Sequence, residues 1–386
     1  MAIRNALTRT ALPFWMLRNR WFAGRSAWNA RDGLLACCAW LNQAQDACES
    51  GGVSTGYDLR RGWLPAFPET TGYIAPTFFN CHRFFGRNEF RERAFRMLDW
   101  LCTVQQPDGS IAGVSPDALH PIVFDTGQVL FGFVRGIEES SGVRYSENAK
   151  RSAEWLVSIQ DPDGGWSRFE YLGEPHAYNT RVAWALLEAG IQFHHERWIE
   201  AAARNIGWAL ARQNEHGWFA QNAFSAGQPT FTHTIAYAIQ GIMESGLLRS
   251  ETGWVDRAIL AADALLKCQH EDGFLAASYG PDWSPTSRSS CLTGIAQMAV
   301  VWYRLVQSVG GSAYQTAADR AVRYLLKHQE RSVWFHHLHG ALAGSYPING
   351  QYLAFVYPNW AAKFLCDALM LSEAIAQRGP ILDRFT

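Results

Sequence analysis

The chain has 386 residues, 48% hydrophobic and 18% charged, with a formal net charge of -1 when histidine is neutral. A balance this close to neutral gives no electrostatic reason to expect nucleic acid as a partner, and the mix is that of a soluble protein with a large core. No run of 18 apolar residues occurs, so no membrane span is expected.

The chain opens with Arg4, Arg9, Arg18, Arg20 and Arg25, interleaved with Phe14, Trp15, Trp21 and Phe22 and without an acid. This basic arm, residues 1–25, lacks a continuous apolar stretch and a small-residue cleavage site, so it does not read as a signal peptide. It is expected to pack on the outside of the protein or to rest on an anionic membrane surface. Residues 26–386 are expected to form one domain. Eight cysteines (Cys37, Cys38, Cys48, Cys81, Cys102, Cys268, Cys291 and Cys366) form no CxxC and sit mostly at apolar helical positions. They read as free buried thiols in a reducing, cytoplasmic setting.

Six helical segments then end in glutamine: Gln45, Gln105, Gln160, Gln213, Gln269 and Gln329, spaced 60, 55, 53, 56 and 60 residues apart. A repeat of this period marks an array of supersecondary units. Turn residues follow, as in PDGS after Gln106, DPDGGW after Gln160, NEHGW after Gln213 and HEDGF after Gln269, whereas Gln329 is followed by ERSVWF with no glycine. Asp-Gly turns stop a helix, with glycine taking the positive-φ position. Six further helices begin near Glu69, Asp125, Asn179, Thr232, Ser290 and Asn359, each opened by a residue of N-cap type. They are apolar on nearly every face, so they belong inside, while the Gln-ending helices carry charges such as Arg91, Glu92, Arg93 and Arg96 on one face and belong outside. Connections from outer to inner helices are long (Gln160 to Asn179) and those from inner to outer are short (Gly190 to Trp198). All the long loops and all the inner-helix N-termini therefore share one rim. Twelve helices in six pairs describe an all-α (α/α)6 toroid of six inner and six outer helices; an open solenoid is the alternative.

The turn from Trp155 to Trp166, WLVSIQDPDGGW, resembles the QW-type repeat of the prenyltransferase and squalene-cyclase superfamily. The toroid as a whole resembles polysaccharide lyases, unsaturated glucuronyl hydrolases, sugar 2-epimerases and uronyl C5-epimerases. These resemblances imply a fold rather than a reaction. A class II terpenoid cyclase implies an acidic DxDD and a class I site implies DDxxD; the chain has DPDG at 161–164 and neither motif. A protein prenyltransferase implies Asp, Cys and His zinc ligands, but Cys291 with His336, His337 or His339 lacks the Asp-x-Cys. Adjacent histidines point apart on most backbones, so neither a metal nor another cofactor is expected.

Helix N-termini carry partial positive charge and unpaired N–H groups, and several meeting on one rim favour an anionic ligand. The densest cluster there is His176, Tyr178, Asn179 and Arg181. A His or Tyr can move a proton, while Asn and Arg hold a carboxylate and spread the charge that develops when an α-proton leaves. This set looks like those of toroidal lyases. Asn179 as a helix cap and Arg181 paired with Glu188 or Glu170 is the structural alternative. His233 and Tyr237, four apart, share a helix face. Arg288, Asn359, Tyr357, Trp360, Tyr73 and Gln128 complete the set of binding candidates, with Trp166, Trp218 and Trp283 in the loops as sugar-stacking rings. The leading expectation is an enzyme acting by lyase or epimerase chemistry on an anionic, uronate-containing glycan. The first alternative is a glycoside hydrolase using Glu69 and Asp125, since two carboxylates across a sugar can act as acid and base. The second is an isoprenoid-binding or cyclising protein, which requires an apolar cavity with few ionisable groups. The third is a non-catalytic scaffold or glycan-binding module in envelope-polysaccharide assembly.

Overall fold

The computed structural model describes residues 12–21, 28–113, 120–140 and 142–377. Arg4, Arg9, Phe22 and Arg25 of the expected arm lie outside the described residues. The rest of the arm is a helix, α1, over 12–21. Twelve longer helices follow: α2 (Ala30–Asp46), α3 (Pro68–Phe85), α4 (Asn88–Val104), α5 (Val123–Glu139), α6 (Ser146–Ser158), α7 (Thr180–Phe193), α8 (Glu196–Leu210), α9 (Thr232–Arg249), α10 (Thr252–Cys268), α11 (Leu292–Ser308), α12 (Ser312–His328) and α13 (Asn359–Ala376).

Odd-numbered helices from α3 to α13 are buried along most of their length, as their apolar composition requires. Each packs against the next, and α13 packs back on α3, so the inner layer closes. The even-numbered helices form the outer layer, and α2, the first of them, pairs with α13, the last of the inner helices. This is the (α/α)6 toroid, closed rather than open. Short antiparallel ribbons tie the rim loops together. Tyr57 pairs with both Trp63 and Tyr357, Thr230 with Tyr279, and Ser290 with Tyr346.

The repeated glutamine is the joint of the outer layer. Gln45, Gln105, Gln160, Gln213 and Gln329 each donate Nε2 to the carbonyl of a turn glycine (Gly51, Gly109, Gly164, Gly217, Gly340). Each also donates to a backbone carbonyl of the neighbouring outer helix, at Arg93, Asn148, Ala201, Arg257 and Gly33, with distances of 2.9–3.2 Å. Gln269 makes the second bond, to Ala317, at 2.9 Å. The last link, Gln329 to Gly33, returns to α2. Those glycines and Gly273 have φ between 84° and 95°. Gly340 corrects the reading of the sixth repeat: the turn has its glycine, eleven residues after Gln329 rather than four. A Cβ on Gly164 would lie 2.5 Å from the Arg204 carbonyl oxygen. Gly164→Ala is therefore expected to cost about 2–3 kcal/mol, from left-handed strain plus overpacking, read as a lowered midpoint in urea unfolding. The same substitution at exposed Gly227, also at positive φ but with open space around it, costs the strain alone.

The expected caps are absent from most of the inner helices. Among α3, α5, α7, α9, α11 and α13, a side chain accepts from the first turn at α11 alone, where Cys291 Sγ receives Gly294 N. Thr71 and Thr126 instead accept from Val53 N and Ile111 N and so pin the preceding loop to the helix. All eight cysteines are unpaired, with Cys38 Sγ 3.6 Å from Cys81 and 3.8 Å from Cys366. No described helix is long and apolar enough to cross a membrane.

Candidate functional site

A pocket of about 390 Å³ opens on the long-loop rim. Ten of its sixteen lining residues are aromatic: Phe67, Tyr73, Phe124, Tyr171, Tyr178, Phe224, Phe231, Tyr237, Tyr352 and Trp360. Three of the others carry a titratable carboxyl or imidazole: Glu69, Asp125 and His233.

Glu69 enters from the first turn of α3 and Asp125 from the first turn of α5, neighbouring inner helices. Burial raises the Glu69 carboxyl to about 8, against the opposing pull of the Arg181 charge and the Tyr73 hydroxyl. The Tyr73 hydroxyl is thus close enough to favour the Glu69 anion, although neither it nor the Tyr237 hydroxyl closes a hydrogen bond of normal length. Asp125 is held well above the usual carboxylate range, by burial first and the Glu69 charge second. Two carboxylates in one dry pocket resist carrying two charges. The Arg181 charge favours the Glu69 anion, whereas the Glu69 charge opposes ionisation of Asp125, so Glu69 ionises first.

His233 lies on α9 with its ring 4.4 Å from Tyr237 and 5.2 Å from Tyr352. Its Nδ1 is 2.9 Å from Gln297 Oε1, an atom that can only accept, so Nδ1 holds the proton and Nε2 is the acceptor. Burial lowers its pKa to about 3 and keeps the ring neutral.

Arg181 is behind the pocket, not in it. It is 0% exposed, donates Nε to Gln128 Oε1 (3.1 Å) and Nη1 to Gln240 Oε1 (2.6 Å), and lies 4.6–5.9 Å from the ring centres of Tyr73, Phe131, Trp184, Tyr237 and Phe364. Glu170 instead accepts from Asn179 Nδ2 at 2.7 Å. The Arg181 Nη2 and the Gln128 Nε2 find no acceptor. Close by, Lys363 and Asp367 form a buried charge pair at 2.7 Å.

The stretch 68–243 matches the family model of the squalene-hopene cyclase C-terminal domain. Over 97 residues the chain is 37% identical to a squalene–hopene cyclase of Bradyrhizobium diazoefficiens, covering 22% of this chain and 14% of that protein. Over 197 residues it is 27% identical to a lanosterol synthase of Aspergillus fumigatus, covering 48% and 23%. The match thus spans less than a quarter of either relative. Among solved structures, an unsaturated glucuronyl hydrolase specific for heparin superposes with a TM-score of 0.70 at 15% identity, covering 90% of this chain and 98% of that one. Cellobiose 2-epimerase from Bacillus thermoamylovorans gives 0.68 at 12%, covering 88% and 97%. The fold is an α/α toroid.

Of the site residues expected from sequence, this toroid brings Glu69, Tyr73, Asp125, Tyr178, His233, Tyr237 and Trp360 together in the pocket. Others lie elsewhere. His176 stacks on Tyr178 (4.4 Å between ring centres) and bonds through Nε2 to the Tyr171 carbonyl, facing a neighbouring groove beside Trp218. Asn179 donates to Glu170, and Asn359 to Ser54 O and Thr70 Oγ1. Gln128 serves Arg181, and Tyr357 donates to Glu330 at 2.6 Å. Trp166 is buried, with its indole N–H on Leu156 O, and Trp218 packs edge-on against Trp283, whose own N–H is taken by His216 O. Arg288 is exposed and does not line the pocket. His337 stacks on Tyr57 and His339 meets Trp28, so these two histidines diverge. Among the described residues no group of three potential metal ligands converges.

Sequence reasoning missed much of the wall: Phe67, Phe124, Tyr171, Phe224, Phe231 and Tyr352. Phe67 and Phe124 carried a signal, since each comes just before a carboxylate that opens an inner helix. Tyr352 carried none. It sits in the long loop before α13 and reaches the pocket through contacts remote in sequence, with its ring 5.4 Å from Phe231 and 5.2 Å from His233.

Proposed function

We propose that the protein is a carbohydrate-active enzyme that cleaves a glycosidic bond, with Asp125 as proton donor and Glu69 as the carboxylate. One observation carries this reading: two carboxylates from adjacent inner-helix starts line one aromatic pocket and are tuned apart in order of ionisation. As pH rises Glu69 gives up its proton first, and its charge then opposes loss of the Asp125 proton, the division of labour that acid-assisted glycoside cleavage needs. The aromatic faces suit a sugar ring, and the neutral His233 offers an acceptor to a hydroxyl. Uncapped inner-helix N-termini on the same rim, with the Arg181 charge below, favour a sugar that bears a carboxylate. The sharing of this fold with a glucuronyl hydrolase and a sugar epimerase supports a saccharide at this rim. Lyase or epimerase chemistry by His176 draws less support, because its Nε2 is engaged by the Tyr171 carbonyl and it does not line the pocket of the two carboxylates.

The match to cyclases and the aromatic wall favour a second reading, protonation of an isoprenoid by Asp125. Against it, the chain has neither a DxDD nor a DDxxD. Tyr73 and Tyr237, which would face a substrate carbocation, also lie around the Arg181 cation.

The test is incubation with oligosaccharides ending in unsaturated uronate, saturated uronate or neutral hexose, following reducing ends and near-ultraviolet absorbance. Release of reducing ends without a new C4–C5 double-bond chromophore is expected, fastest for a uronate end. A growing chromophore would replace hydrolysis with elimination. Cyclisation of a linear polyprenyl substrate with no sugar turnover would favour the second reading.

A further inference from the structure

Helix α1 is apolar on two sides. Trp15 and Met16 pack on the toroid, Asn19 Oδ1 accepts from Ile348 N at 3.0 Å, and Arg18 grips Glu330 through two bonds of 2.8 Å. The opposite side carries Phe14, Leu17 and Trp21, spaced three and four residues apart and therefore in one stripe. These are 52%, 70% and 63% exposed. Beside them the loop after α12 holds out Val333 (62%) and Trp334 (86%), and the two elements frame a groove of about 870 Å³. Five of the thirteen exposed large apolar side chains among the described residues thus gather in one patch. A monomer in water does not ordinarily keep such a patch open.

The charges around the patch have one sign. Arg20, Lys327 and Arg331 are exposed there, while Glu330, the one acid in 12–21 and 327–337, is already bound by Arg18 and Tyr357. Exposed tryptophans and leucine ringed by Lys and Arg match the boundary of an anionic bilayer, where the rings enter the headgroup layer and the cations meet lipid phosphates. The patch also lies on the active rim. The loop that receives Asn19 at Ile348 supplies Gln351, Tyr352 and Leu353 to the pocket wall. We propose that α1 and the 331–335 loop dock the protein onto an anionic lipid surface with its pocket rim towards the membrane. This rests on the patch and not on the reaction assigned to the pocket.

Co-sedimentation of the full chain with vesicles tests it. Vesicles of mixed phosphatidylglycerol and phosphatidylcholine are expected to pellet the protein, those of phosphatidylcholine alone to do so far less, and added salt to weaken the partition. Leu17→Ser and Trp334→Ala, both at exposed sites, are each expected to lower the partition by about tenfold while leaving the thermal midpoint unchanged. The proposal falls if anionic vesicles pellet no protein, or if neither substitution changes the partition. It falls also if sedimentation velocity shows a dimer that Leu17→Ser dissociates, since a second copy would then cover the stripe.

Discussion

Asp125→Asn and Glu69→Gln are each expected to cut turnover by about 10²–10⁴-fold, the usual contribution of a placed acid or base, while making the protein harder to melt at alkaline pH. Both effects come from the same burial. The Glu69 carboxyl titrates near 4.3 when unfolded and at about 8 when folded. Its folded-state pKa is raised, so the stability it contributes is complete below about pH 4.3 and is lost as pH rises through about 8. Asp125 behaves in the same direction. The amide variants cannot ionise, so their advantage should widen across that window. For Glu69→Gln, after allowance for its coupling to Asp125, it should reach about 1–3 kcal/mol above pH 8. Thermal denaturation of the three proteins at a series of pH values needs no substrate. Curves that run parallel at every pH would show that the two carboxylates are not the buried pair, whatever the assay of turnover finds.

Arg181→Met is expected to be the most damaging single change on the inner ring. It leaves the Gln128 and Gln240 amide oxygens without their donor and empties a space walled by five aromatic rings. A loss of about 3–5 kcal/mol follows from stranding buried polar groups and opening a cavity, measurable by urea unfolding. The variant also reports on chemistry. Arg181 favours the ionised form of Glu69, so without it Glu69 holds its proton to higher pH. The ascending limb of the pH–rate curve should therefore move upward, while the descending limb, set by Asp125, should move little. A uniform drop in rate with no shift would mean that the guanidinium charge does not reach Glu69.

The repeat made the architecture legible because each glutamine has the same task at every station, and a task that recurs leaves a period in the chain. The inner helices begin within two residues of where their opening residues place them, and loop length alone assigned the rim. The site was readable where a side chain's role follows from its place in its own helix. Glu69 and Asp125 stand in the first turns of apolar helices, and His233 and Tyr237 are four apart. It was unreadable where rotation about the helix axis or remote packing decides. Arg181 shares a segment with Tyr178, yet its side chain turns inward to Gln128 and Gln240, on two other helices. Trp166 looked like a loop ring, but its indole N–H has a carbonyl to satisfy inside the wall. The caps failed for a related reason: Thr71 and Thr126 accept from a backbone strand that no local pattern reveals.

The return of Gln329 to Gly33 has a consequence for how the molecule comes apart. An open stack of hairpins frays from its ends and needs polar terminal units to seal it. Here every hairpin has two neighbours, so there is no end unit to lose first, and removing any one leaves a gap that its flanking pairs cannot span. Melting should be all-or-none across the ring. The position of the chain termini becomes almost arbitrary: joining α13 to α2 and reopening the chain at the two-residue turn His194–His195 should give a circularly permuted protein with the same pocket.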